Sequence, residues 1–429
     1  MTPAARLAAT IELLETVEAA PRRPADASAS NFFRERRFIG SGDRRAVSDR
    51  VWAVLRARRR LTWWLSRAGA VPSPRLMTAA LLLLEGWTLD GVGQSFQGGK
   101  YGAPRLVESE IEVLAPLEGQ ALVHPDMPLA VVTEVPDWVL PSLVARFADD
   151  TEAEMTAMLA PAPLDLRANA LKGTREAALA ALEAEGITAE PMRFSPWGMR
   201  VDGRRAVTTG PAFQSGLIEI QDEGSQLVAV LTEAAPGMRV VDWCAGAGGK
   251  TLAIAAMMDN RGQITACDVS EKRLEGAVRR LRRAGVHNVE RHLVVPGDKW
   301  AKRRAGAFDR VLVDAPCTGT GTWRRNPEAR YRLEPRDLAE LVPKQAAILD
   351  DAARLARPGG RLIYATCSVL PEENEAQIDA FLARTPGWAV VPLATVWPGG
   401  APPCQGPYLR LTPLRHGTDG FFGAVLQRG

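Results

Sequence analysis

Cys317 closes the apolar string Val311-Leu-Val-Asp-Ala-Pro-Cys-Thr-Gly-Thr-Gly, and Cys367 lies in Leu362-Ile-Tyr-Ala-Thr-Cys-Ser-Val-Leu-Pro-Glu-Glu-Asn. Each thiol follows a run of the kind that forms a buried strand, and Asp314 precedes the first thiol by three residues. In open α/β sheets the carboxyl ends of the strands face the crevice where ligands bind. A thiolate at such an end is a nucleophile, and a carboxyl group beside it can hold or deliver a proton. One cysteine ending an apolar strand is most simply a small core residue. Two of them, with an acid, suit covalent catalysis better.

A second constellation lies upstream. Val240-Val-Asp-Trp-Cys-Ala-Gly-Ala-Gly-Gly-Lys-Thr251 is an apolar strand leading into a glycine-rich turn and then a helix, so backbone N–H groups can approach an anionic group. Three readings compete. A dinucleotide fingerprint needs G-x-G-x-x-G, which the spacing of Gly246, Gly248, Gly249 and Lys250 does not give. A phosphate-binding P-loop needs a glycine where Cys244 stands, although Gly249-Lys250-Thr251 fits its end and Asp314 could imitate its magnesium-holding acid. The third is an S-adenosylmethionine (SAM) site. There the glycine turn cradles the cofactor, Asp268 at the end of Ile264-Thr-Ala-Cys-Asp takes the ribose hydroxyls, and Asp298 after Val294-Val-Pro-Gly accepts from the adenine amino group. Singly, either acid reads as a helix cap or turn residue.

Strand and helix must alternate to place these loops together. From Gly237 onward they do. Candidate strands are Arg239–Trp243, Gln263–Asp268, Leu293–Val295, Arg310–Asp314, Arg361–Ala365, Ala389–Pro392 and Phe421–Gln427, with helical patterns at Glu271–Arg283 and Leu338–Ala356. This alternation predicts an α/β fold with a doubly wound, mostly parallel sheet over residues 231–429. Residues 1–130 read as helical, with Val47, Val51, Val54 and Leu55 at helical spacing and another apolar face over Leu76–Leu84. Pro21 to Asn31 reads as a loop and Gly91 to Gly102 as a break. Between 131 and 230, a Pro-spaced linker leads to a strand at Pro163–Lys172 and a helix at Thr174–Glu185, the outline of a small α+β domain.

With 429 residues, 46% hydrophobic and 24% charged, the chain can bury sizeable cores in two or three domains. No apolar stretch approaches the roughly 20 residues of a membrane span, and the amphipathic start lacks a signal peptide's apolar block, so a cytoplasmic protein is expected. Five cysteines make no disulfide framework, and no spacing suggests a metal site. The net charge of +3 hides four basic runs: Arg56 with Arg58 to Arg60, Arg279–Arg280 with Arg282–Arg283, Lys299 with Lys302 to Arg304, and Arg324–Arg325 with Arg330 and Arg332. One run is ordinarily a solvated face. Four favour a polyanionic partner.

One reaction needs this whole set. Cytosine C5 becomes nucleophilic only after a thiolate adds to C6, so its methylation demands a nucleophilic sulfur, an acid near ring N3 and a group that assists release. Spacing alone does not say which cysteine is which.

The strings around Asp314–Gly321 and Tyr364–Asn374, together with Asp419-Gly-Phe-Phe, resemble the Nol/Nop/Sun family of RNA cytosine-5 methyltransferases, and within it the bacterial enzymes of ribosomal RNA. The resemblance runs from Pro136 to the C-terminus, including Trp138, Leu166-Arg-Ala-Asn and Gln221-Asp-Glu-Gly-Ser-Gln, and Asp43–Leu65 is similar to a NusB-like helical RNA-binding domain. It implies a Rossmann-like SAM domain, Cys367 as nucleophile, Cys317 as the release cysteine and Asp314 as the N3 partner. The implied SAM site is Cys244, Ala245, Gly246, Ala247, Gly248, Gly249 and Lys250 with Asp268, Arg273, Asp298 and Asp314. The implied partner is structured RNA, ribosomal first and transfer RNA second; nothing in the chain demands a partner subunit, so a monomer without metal is expected. A non-catalytic RNA-binding assembly factor is the competing class, and it would have no need of Asp314, Cys317 and Cys367 together. In two places the chain departs from the family: Gly246-Ala247 stands where the family has Ala-Pro, which predicts a freer turn, and the stretch from Asp90 to Leu117 matches the helical RNA-binding domain poorly.

Overall fold

The computed structural model describes residues 1–203 and 205–429. Its contacts divide the chain into two compact units, Met1–Ala160 with Trp323–Glu334, and Pro161–Thr322 with Pro335–Gly429.

The first unit is helical. Helices Pro3–Ala19, Ser41–Arg56, Arg58–Arg67 and Pro74–Leu84 pack Leu13, Val17, Val51, Leu61, Leu65 and Met77 into one core. Helices continue to Thr151–Ala157, past residue 130 where the sequence suggests a boundary. The loop expected over Pro21–Asn31 is instead mostly the helix Ala25–Glu35, because Pro24 at its N-cap needs no helical partner for a missing N–H and the alanines behind it favour helix. The expected break at Gly91–Gly102 begins with a short helix, Leu89–Ser95, capped by Thr88. The segment Trp323–Glu334 belongs to this unit. Glu328 accepts from the Ala25 N–H (2.9 Å), and Arg330 donates to Thr133 O (3.1 Å) and Met158 O (2.7 Å).

The second unit holds two sheets. The smaller is antiparallel, with strands β1 (Leu164–Ala168), β2 (Ala189–Pro191), β3 (Gly198–Val201) and β4 (Ile218–Ile220) in the order β2-β3-β1-β4. Alternation sends Leu166, Ala168, Met199, Val201 and Ile218 against the helix Arg175–Ala184, leaving Asp165, Arg167, Arg200 and Glu219 on the opposite face.

The larger sheet contains β5 (Arg239–Asp242), β6 (Gln263–Asp268), β7 (Val289–Leu293), β8 (Phe308–Asp314), β9 (Ala356–Thr366), β10 (Trp388–Val391), β11 (Leu409–Leu411) and β12 (Phe421–Arg428). Their order is β10-β12-β9-β8-β5-β6-β7, with β11 on β12. The pairs among β5 to β9 are parallel, and β10, β11 and β12 join antiparallel. Successive residues enter opposite cores: Val240, Leu312, Ile363 and Val425 on one side, Val241, Val311, Leu362 and Leu426 on the other. Burial on both faces is what makes these strands read as continuous apolar runs. The strand expected at Leu293–Val295 lies instead at Val289–Leu293, an edge strand whose Glu290 and Arg291 are exposed and hide its periodicity. The order reverses between β5 and β8, so the loops after these two strands open onto the same crevice.

Candidate active site

The loop after β5 leads into the helix Gly249–Met257, with Gly248 left-handed at its N-cap. Gly246 has φ +55°, a conformation that suits glycine and strains alanine. An Ala-Pro pair at 246 and 247 would therefore need a different turn from the one this chain makes. The turn is anchored by Asp268 at the end of β6, whose Oδ2 accepts from the Gly246 N–H and Oδ1 from the Ser270 N–H, both at 2.8 Å. A carboxylate has lone pairs left for two hydroxyls beyond these two bonds.

A hollow of about 690 Å³ lies over this turn, within the range of small-molecule sites. Its wall includes Cys244–Ala247, Gly249, Lys250, Asp268, Arg273 and Asp314, so most of the expected cofactor residues meet there. Asp298 does not line it. That residue borders an adjoining hollow of about 920 Å³, which shares Trp243 and Val294 with the first. Asp298 accepts from the Trp300 N–H (2.8 Å) and lies 2.6 Å from His292 Nε2, and these two contacts hold its carboxyl below the ordinary range.

Sequence reasoning passed over Asp242. It is buried, lines the first hollow and accepts from Thr251 Oγ1 at 2.7 Å through one oxygen, while its Oδ1 has no partner. Burial pushes its carboxyl up to about 7. A polar atom left over at the floor of a glycine-lined hollow fits a ligand that donates hydrogen bonds, as the ammonium group of SAM does. The repeat of an aspartate at the ends of β5, β6 and β8 is the signal the sequence offers for it.

Lys250 and Asp314 form an ion pair at 2.6 Å. Burial opposes the ammonium charge, but the Asp314 carboxylate and its hydrogen bond outweigh it and raise the Lys250 pKa. The Phe421 ring of Asp419-Gly-Phe-Phe lies 5.6 Å from Lys250 Nζ, which gives that motif a place in the site.

Cys317 Sγ and Cys367 Sγ lie 3.4 Å apart at the ends of β8 and β9. Both residues are half-buried. The hydrogen bond with Cys367 and burial, then the charges of Cys367 and Glu373, push the Cys317 thiol well above its ordinary range. Burial does the same to Cys244 and Cys267.

The Pro-Glu-Glu-Asn tail positions both thiols. The fully buried Glu373 accepts from the Thr318 N–H (2.8 Å) beside Cys317 and from Gln345 Nε2 (2.9 Å). Asn374 accepts from Thr366 Oγ1 (2.5 Å) and donates to Ser368 O (2.9 Å), bracketing Cys367. Gly321 N–H donates to Cys367 O (2.9 Å) and Gly420 N–H to Gly321 O (2.8 Å). A Cβ on Gly321 would sit 2.1 Å from Gly420 O, so the close approach of these loops requires glycine.

The basic runs divide into two kinds. In the helical unit Arg58 pairs with Glu18, Arg59 with Asp137 and Arg60 with Glu134, while Arg330 is buried among carbonyls. Those two runs hold structure. Lys299, Lys302 and Arg303 are exposed, as are Arg279 and Arg282.

Comparison with known proteins decides the family. The model of the 16S rRNA methyltransferase RsmB/F family matches residues 229–427, and that of the ferredoxin-like domain of RsmF/B-like methyltransferases matches 135–208. "Probable ribosomal RNA small subunit methyltransferase B" of Synechocystis sp. is 32% identical over 410 residues, 90% of this chain and 91% of that protein. The chain belongs to the RsmB/F family.

It is accordingly a SAM-dependent rRNA methyltransferase. Ribosomal RNA small subunit methyltransferase B of Xylella fastidiosa is 38% identical over 68% of each chain. The crystal structure of a methyltransferase homologue from Pyrococcus horikoshii superposes with a TM-score of 0.62 at 29% identity, over 72% of this chain and all of that one. Among the described residues no helix is long and apolar enough to cross a membrane.

Proposed function

We propose that this RsmB/F methyltransferase makes 5-methylcytosine in small-subunit ribosomal RNA through a transient bond between Cys367 and cytosine C6. The observation that carries this reading is the 3.4 Å approach of Cys317 and Cys367 beside Asp314. A non-catalytic RNA binder has no use for that approach, and a methyltransferase acting on an exocyclic nitrogen or a ribose oxygen needs no cysteine pair.

SAM, when bound, supplies an electrophilic methyl group. The glycine turn and Lys250 would hold its amino-acid end with Asp242 accepting from the ammonium, Asp268 would hold the ribose hydroxyls, and the adenine would reach past Val294 into the adjoining hollow, where Asp298 would accept from its amino group. Arg273 lines the wall of the first hollow.

The Cys367 thiolate adds to C6, and the electron pair of the C5–C6 double bond is drawn toward N3 as Asp314 passes there a proton that it takes from the Lys250 ammonium 2.6 Å away. C5, now enamine-like, takes the methyl group. Cys367 is then a neutral thioether, so its charge and its thiol hydrogen bond no longer hold Cys317 protonated. The Cys317 proton passes to solvent, and the resulting thiolate takes the hydrogen from C5. The double bond re-forms, Cys367 leaves as thiolate and N3 returns its proton through Asp314 to Lys250. One proton is released per methyl transferred, as the overall reaction requires.

Bisulfite sequencing of total RNA from cells with and without the gene tests the reading. One protected cytosine in small-subunit rRNA should lose protection in the deletion strain. Protection lost only in tRNA, or unchanged everywhere, would refute it.

A further inference from the structure

Helix Glu271–Ala284 carries five arginines, and Arg280 and Arg283 turn inward. They meet Glu219 of β4, a carboxylate only 3% exposed. Arg280 Nη2 reaches Glu219 Oε2 at 3.1 Å, Arg283 pairs with Oε1, and Arg167 sits directly across the β1–β4 ladder from Glu219. Arg167 is itself buried and donates to Gln221 Oε1 at 2.7 Å.

The other arm of Arg280 points to the cofactor turn. Its Nη1 donates to Ala247 O at 3.0 Å. Ala247 lies between Gly246 (φ +55°) and Gly248 (φ +79°), so two residues of wide conformational freedom flank its peptides. The turn is gripped at the Gly246 N–H by Asp268, at the Gly248 N–H by Ala245 O and at the Ala247 carbonyl by Arg280. A guanidinium is planar and presents its donors in a fixed fork, so one anchored by a buried carboxylate is a rigid strut, which a lysine cannot reproduce.

We infer that Arg280, braced by Glu219 of the small sheet, is a positioning residue that fixes the glycine turn for SAM and takes over the rigidity that a proline at 247 would give. A turn already held in shape loses less entropy when its ligand binds. The inference rests on SAM use alone and is independent of the cytosine chemistry.

The test is calorimetric titration of SAM into the full-length protein, with the thermal midpoint recorded without ligand. Arg280→Gln should weaken SAM binding about tenfold, the value of one charge-assisted hydrogen bond. In steady state the KM for SAM should rise while kcat changes little. Arg280→Lys keeps the charge but cannot bridge both acceptors, and should fall between. Arg279→Gln, an exposed neighbour on the same helix, should bind like the parent with an unchanged midpoint. Should Arg280→Gln fold poorly, the gap between Arg280→Lys and the parent decides. A Kd for both Arg280 variants within twofold of the parent, or an equal loss in Arg279→Gln, would overturn the inference. Failure of the unaltered protein to bind SAM would instead strike at the cofactor assignment.

Discussion

Glu373, a residue with no chemistry of its own in the reaction, accepts from the backbone N–H of Thr318 at 2.8 Å and so ties the tail of the Cys367 loop to the loop that carries Cys317. The carboxylate is wholly buried and also receives Gln345 Nε2. Removing it takes the shared acceptor from the Thr318 N–H, Thr318 Oγ1 and Gln345 Nε2, of which the last keeps Pro316 O, at a cost of about 1–3 kcal/mol. Glu373→Ala should lower the denaturant midpoint by that order and reduce kcat by a larger factor than KM for RNA, because Cys317 loses its support. A variant with unaltered midpoint and kcat would show that the two loops hold themselves.

Asp242 supplies a pH signature. Its carboxyl is raised by burial from 3.8 in the unfolded chain to about 7 in the fold. Folding thus favours the protonated form, and the associated stability is whole below the unfolded value and is lost as pH rises through about 7. Asp242→Asn, uncharged at every pH, should show a shallower decline of urea midpoint across this window than the parent protein. Parallel curves for the two proteins would contradict the assignment.

The exposed run Lys299, Lys302 and Arg303 should contact RNA phosphates. Replacing all three by alanine should weaken RNA binding at low salt and reduce the magnitude of the log–log salt slope by about 2, at roughly 0.7 per phosphate contact on a single strand. Replacing Arg58 and Arg59, which are ion-paired within the helical unit, should change the slope far less. Equal slopes for all variants would place the RNA on another face.

The sequence revealed these features unevenly, for physical reasons. The ends of β6, β8 and β9 were readable because strands buried on both faces are continuous apolar runs, and the acids and thiols that stop them stand out. The edge strand β7 was misplaced because its solvent face interrupts the pattern. The return of Trp323–Glu334 into the helical unit was invisible, since local spacing says nothing of a partner some 300 residues away. Two of the four basic runs likewise read as polyanion-binding, although their guanidiniums are committed to Glu18, Asp137, Glu134 and backbone carbonyls. Asp242 shares its strand-end position with Asp268 and Asp314, but the burial that raises its carboxyl is not displayed by a string.

The most direct measurement is denaturing mass spectrometry of the full-length protein after incubation with SAM and small-subunit rRNA. With Cys317→Ala, a stable species bearing a crosslinked nucleotide at Cys367 should accumulate, because addition proceeds while release is slowed. Cys367→Ala, and the double variant, should give neither adduct nor methyl transfer. Normal turnover without adduct in Cys317→Ala, or methyl transfer retained in Cys367→Ala, would contradict covalent catalysis by this pair.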